Sequence, residues 1–267
     1  MSPELSGGRP AIAGHAPDKL PGYALSLGDD ALVMAQRLGE WIAASPQLEE
    51  DVALANIALD QLGQARSLLG YAGSLMEPVR SEDDLAYFRD ERDFRNVQLV
   101  ERSWGDRDFG IAMARMLVWS TYQLELYSRL ASSADETLAA VAAKAVKEVD
   151  YHRDHATMWV LRLGDGTEES RLRMQAGLDA EWPYVEELFD ASYVDQELLA
   201  SGVAVDPSAL RDSWNGRIEQ VLAEATLTRP EVPTARTGGR HGIHTEQMGY
   251  LLAEMQHLAR SHPGATW

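Results

Sequence analysis

Residues Val141–Leu163 read VAAKAVKEVDYHRDHATMWVLRL. Apolar residues recur at Val141, Ala145, Val149, Ala156, Trp159/Val160 and Leu163, in steps of three, four and seven, which predicts a long amphipathic helix. His152 lies in the middle of that stripe, where an aliphatic side chain is the default. In a helical bundle, an inward His three residues after an inward Glu is half of a carboxylate-bridged di-iron site. Here the residue three before His152 is Val149.

Outward from this stretch the chain reads as helix throughout. The expected helices are Asp29–Ala44, Gln47–Leu75, Asp108–Ala131 and a fourth from Asp135 to Leu163, stopped by Gly164. Val52–Leu62 in the second is apolar or small on almost all sides, which predicts a helix buried all round. The link between the second and third is roughly thirty residues, with short helices expected near Asp83–Phe88 and Phe94–Glu101. One long crossover between two antiparallel pairs is the ferritin-like arrangement. Further helices are expected over Glu168–Leu188, bent at Trp182-Pro183, and over Val194–Ala200, Pro207–Thr226 and Thr245–Arg260. Arg229–Gly242, with its prolines and glycines, predicts a loop. The fold class expected is an all-α, ferritin-like four-helix bundle with a long crossover and additional C-terminal helices. It occupies residues 26–267 as one domain behind a flexible Gly- and Pro-rich tail, residues 1–25.

Composition narrows the function. The net charge is −18, so phosphate backbones are repelled and nucleic acid is not an expected partner. The absence of cysteine excludes disulfides, thiolate zinc sites, iron–sulfur clusters and cysteine nucleophiles, and fits a cytoplasmic protein. No apolar run is long enough to span a membrane.

A di-iron bundle needs two single carboxylates and two Glu-x-x-His pairs, because both side chains of each pair must leave one helix face and meet the same metals. The fourth helix offers Val149-x-x-His152 and the second Gln61-x-x-Gln64. Valine cannot ligate, and neutral amides are poor substitutes for carboxylate and imidazole around two cations. The plain reading makes His152 a hydrogen-bonded core histidine, and Gln61 and Gln64 structural amides. Glu148 is expected to pair with a base of a neighbouring helix, and Asp150 and Asp154 to form a solvated face with Arg153. Met113, Met116 and Trp119 read as core. A mononuclear site on Glu148, His152 and His155 is the sharper alternative. A metal-dependent oxygenase would use Glu40, Glu125, Glu148 and His152. A third possibility is that Arg236, Arg240 or His241 of the basic loop reaches the phosphates of a ligand.

Longer motifs carry a resemblance. They are Gly28-Asp-Asp with Gln36-Arg-Leu-Gly-Glu-Trp41, Leu54-Ala-Asn-Ile-Ala-Leu-Asp-Gln-Leu-Gly-Gln-Ala-Arg66 and Phe88-Arg-Asp-Glu-Arg92. They continue through Lys144–Glu148 with Tyr151-His152, Gly202–Pro207, and Thr237-Gly-Gly through Leu252–Gln256. In this order, over Gly28–Trp267, the chain resembles the family of C subunits of the multicomponent phenylacetyl-CoA epoxidase of aerobic phenylacetate degradation. That resemblance implies a ferritin-like subunit without a metal centre of its own. Its catalytic paralogue, the A subunit, holds di-iron and the thioester and pairs with the C subunit. A B subunit bridges such pairs, and a flavin and iron–sulfur reductase supplies electrons. The reaction forms a ring-1,2 epoxide from oxygen and NADPH. Where the A subunit's motif resembles Asp-Glu-x-Gly-His, this chain has Asp60-Gln61-Leu62-Gly63-Gln64. The resemblance therefore implies no catalytic, cofactor-binding or metal residues here, only degenerate positions Gln61, Gln64, Val149 and His152. It also implies a structural role in the complex, with self-pairing when the chain is alone.

Overall fold

The computed structural model describes residues 19–105 and 107–265. Helix α1 (Lys19–Gly39) turns through residues 40–47 into α2 (Leu48–Ser74), and the two pack along each other. The chain then crosses over through α3 (Glu82–Tyr87), a 3-10 turn at Glu91–Asp93 and α4 (Gln98–Glu101). The second long pair follows, α5 (Phe109–Leu130) and α6 (Glu136–Gly164), and α2 against α6 joins the two pairs. This is the all-α, ferritin-like bundle with one long crossover, and no strand occurs among the described residues.

Local chemistry sets the ends of these helices. Asp108 accepts from the Gly110 N–H and caps α5, and Asp135 accepts from the Leu138 N–H at 2.8 Å and caps α6. Helix α6 stops at Gly164, where a Cβ would lie 2.2 Å from the Ala225 carbonyl oxygen, so only glycine lets the following segments approach. Helix α7 (Glu168–Glu181) packs on α5. It does not continue through a bend to Leu188. It ends at Glu181, and Pro183 opens a 3-10 turn over Trp182–Phe189. Helix α8 (Gln196–Ala200) is shorter than expected, and the predicted helix from Pro207 divides into a 3-10 turn (Pro207–Leu210) and α9 (Arg211–Glu224). Helix α10 (Glu246–Ser261) closes the fold beside α3 and α1.

Two expectations need correction. The first helix starts at Lys19, so Lys19–Leu25 are helical and not tail; residues 1–18 lie outside the described residues. The Asp29-Asp30 pair, which has the form of an acidic helix start, sits inside the helix and is buried. The second correction concerns α2. It is not covered on all sides: Leu54, Ile57, Ala58 and Ala65 face the core, while Leu48, Val52, Leu59 and Leu62 face outward.

Candidate functional site

The four positions are buried on the facing helices α2 and α6, and each polar one bonds a residue outside the set. Gln61 of α2 and Gln123 of α5 are both buried and exchange two hydrogen bonds, Gln61 Nε2 to Gln123 Oε1 at 2.7 Å and Gln123 Nε2 to Gln61 Oε1 at 3.1 Å. One turn along, Gln64 Nε2 donates to Glu148 Oε2 at 3.1 Å. Val149 and His152 face inward from α6 and are fully buried. His152 Nε2 lies 3.0 Å from Asp60 Oδ2, and His155 Nε2 lies 2.7 Å from Glu50 Oε2. Polar side chains of α2, α5 and α6 thus meet in separate pairs inside the bundle.

Burial lowers the His152 pKa, more than the Asp60 carboxylate and the other acids nearby raise it. The imidazole is therefore neutral near pH 7, and its Nε2–H donates to Asp60. Its Nδ1 is buried without a partner, as are His155 Nδ1 and Gln64 Oε1.

This donor set does not fit a pair of iron ions. The two glutamines satisfy each other, and an amide brings no charge to offset two cations. Val149 has no donor atom. The sharper sequence alternatives fare no better. Glu148, His152 and His155 turn to three different partners, Gln64, Asp60 and Glu50, instead of a common point. The base nearest Glu148 is Lys144 of its own helix, at 3.6 Å, and not one from a neighbour. Glu40 pairs with Arg37 at 2.6 Å beyond the end of α1, and Glu125 accepts from the Ser213 hydroxyl on the outer side of α5. Among the described residues no group of three or more His, Asp or Glu is gathered closely enough to hold a metal ion. Arg153 holds Asp150 and Asp154 on the outer face of α6, as expected, and Met113, Met116 and Trp119 are core.

Gln123 is a member of this layer that the sequence does not single out, because Glu125, two residues on, is the acid in the same helix. Helical phase is the available signal, since Gln123 is one turn from Trp119 and shares its inward face. Arg240 is placed otherwise than expected. Its guanidinium is buried, donates to Asp30 Oδ2 at 2.7 Å and to the Ser26 and Arg95 carbonyl oxygens, and lies over the Tyr193 ring. It is committed to the interior and is not free to meet a ligand's phosphates. His241 meets the Ser192 hydroxyl at 3.2 Å.

A protein-family model described as phenylacetic acid catabolic protein matches residues 12–267. The C subunit of the 1,2-phenylacetyl-CoA epoxidase of Escherichia coli (strain K12) is 46% identical over 250 residues, which cover 94% of this chain and 100% of that protein.

Proposed function

Since the chain belongs to the phenylacetic acid catabolic protein family, we propose that it is the non-catalytic C-type subunit of a phenylacetyl-CoA 1,2-epoxidase, and that it pairs with and stabilises the catalytic A subunit. The observation that carries this reading is the closed Gln61–Gln123 pair, with a buried valine at 149, on helices where a ferritin-like oxygenase carries its iron ligands. A bundle so altered keeps the shape and outer faces of a paired subunit while lacking the chemistry. On this reading the iron belongs to the partner chain, the B subunit bridges the pairs, the reductase docks transiently, and the assembly works in the cytoplasm. Among the described residues no helix is long and apolar enough to cross a membrane. The rival reading, an oxygenase using Glu40, Glu125, Glu148 and His152, is not favoured, because those side chains do not converge.

The test is to express the A subunit with and without this chain and to count iron on each purified chain. We expect far less than one iron per copy of this chain, and loss of soluble, active A subunit when it is omitted. Stoichiometric iron here, with an optical change on adding oxygen, would overturn the proposal. Self-association in the absence of the A subunit is a separate expectation, read from the mass of the pure chain in solution.

A further inference from the structure

The bundle has a cavity of about 480 Å³ at the end where the α1–α2 turn meets the starts of α5 and α7 and the last turns of α6. Its inner wall is aromatic. Phe109 meets Trp41 and Trp159 edge to face, with ring centroids 5.8 and 5.0 Å away, and Leu163 and Met174 extend the apolar surface. A volume of this size suits a small molecule, and an apolar wall with a few polar groups is the usual make-up of a ligand site.

Two of the polar groups in the wall are unsatisfied. A buried indole N–H usually finds an acceptor, as Trp104 does at the Arg37 carbonyl oxygen and Trp214 at that of Val118. Trp41, Trp119 and Trp159 bury theirs without a partner, and Trp41 and Trp159 share this cavity. These two are only 1% and 8% exposed, so bulk solvent does not supply the missing acceptor. Backbone strain falls at the same place. Ala43 and Arg107 have φ of 61° and 57°, left-handed values that residues with a Cβ rarely adopt. Arg107 lines the cavity, and Ala43 precedes Ala44, which also lines it. Strain of this kind persists where the surroundings over-determine the chain, and it gathers at ligand sites.

The electrostatics select the occupant. The first residues of three helices line the cavity: Gln47 before α2, Asp108 and Gly110 of α5, and Thr167 and Ser170 of α7. Helix N-termini carry partial positive charge and favour anions. Side-chain charge at the mouth cancels, with Arg107 and Arg173 against Asp108 and Glu169, and Arg173 is already held by Asp108 at 2.7 Å. The groups in want of a partner are therefore donors and helix ends. An ammonium ion, which aromatic walls can also attract, would meet those positive ends. A flat apolar body that carries a carboxylate suits both the wall and the ends.

We propose that this cavity binds a small aromatic carboxylate, with its ring among Trp41, Phe109 and Trp159 and its carboxylate towards the indole N–H groups and the starts of α5 and α7. The site is separate from the pairing function proposed above and does not depend on it.

The test titrates the full chain, carrying isotope-labelled tryptophan, with naphthoate, and follows the indole N–H resonances. Trp41→Phe and Trp159→Phe assign the two signals. Naphthoate should move both and leave that of Trp214, which already donates to a carbonyl, in place. Acetate lacks the ring, and naphthylmethylamine puts a cation on the same ring; each should bind at least about tenfold more weakly. Trp159→Phe keeps an aromatic ring and loses the donor, so it should bind naphthoate about tenfold more weakly while retaining the helical signal of the parent. Ala44→Phe narrows the mouth without touching either donor and should weaken binding by at least as much. Trp41 and Trp159 signals that stay fixed up to millimolar naphthoate would overturn the site. Amine binding as tight as that of naphthoate would make the cavity a cation cage and overturn the ligand class. A folded Trp159→Phe and an Ala44→Phe that both bind like the parent would place the ligand elsewhere on the chain.

Discussion

Asp29 is a carboxylate in the middle of a buried helix, and its neighbours explain how it is tolerated. The guanidinium of Arg89 grips both of its oxygens, and the Arg95 N–H donates to it at 2.8 Å. Removing one partner of such a pair leaves the other charge buried without compensation, which costs about 3–5 kcal/mol. Asp29→Ala should therefore lower unfolding stability by that order in urea titrations, and Asp29→Ala with Arg89→Met should recover part of the loss. An unchanged midpoint in the single variant would contradict this account. His244 is a second case. Its Nδ1 lies 2.7 Å from Glu101 Oε2 and its Nε2 lies 3.1 Å from the Phe94 carbonyl oxygen, so both ring nitrogens face acceptors and both must donate. Burial works against the charge, but Glu101 and the carbonyl outweigh it and hold the pKa above the usual value. A raised pKa stabilises the fold fully below the unfolded value of about 6.5, and the gain is lost as pH rises through the folded value. As pH rises above about 6.5 the parent should lose more stability than His244→Gln, and parallel curves would exclude His244 as the cause. Neither pair is visible in the sequence. Asp29-Asp30 has the local form of a helix start, and nothing local to Arg89, Arg240 or His244 says which acid each will meet. The inward placement of Gln61 and Gln64 on α2 and of Val149 and His152 on α6 is legible, because three-residue spacing puts each pair on one face of its own helix, and all four are buried.

Helices α5, α6 and α10 follow the sequence closely, because caps such as Asp108 and Asp135 and stops such as Gly164 act within a few residues. The start of α1 escapes the sequence for the opposite reason. Its first turns are held by packing on distant segments, as when the Tyr23 hydroxyl accepts from the Val205 N–H. The loop Arg229–Gly242 is irregular as its prolines and glycines predict, but its role comes only with the structure. Gly239 sits against the crossover so closely that a Cβ would lie 2.1 Å from the Asn96 carbonyl oxygen, and its N–H donates to Glu187 at 2.7 Å. Gly239→Ala has no room there and should destabilise the chain by roughly 1–3 kcal/mol, read as a lower urea midpoint. An alanine variant as stable as the parent would mean that the loop can stand off the crossover at no cost.

Over the whole molecule, acids and bases distant in sequence hold the added segments to the bundle. Arg37 reaches the Glu101 carbonyl oxygen, Arg115 bonds Glu181, and Glu101 accepts from Asn96 and His244. The fold class is legible because four long periodic stretches and one long crossover admit few arrangements. The way the C-terminal third returns to cover the first helix is not, because it depends on pairings between residues far apart. One of these, between Asp30 and Arg240, spans 210 positions. During synthesis at about 5–20 residues per second, α1 leaves the ribosome roughly 10–40 seconds before the guanidinium that neutralises Asp30 has been made. Until then, closing the N-terminal helices over that carboxylate leaves it either charged without its counter-ion or protonated. The native surroundings of Asp30 are therefore complete only after residue 240 has been made, late in translation.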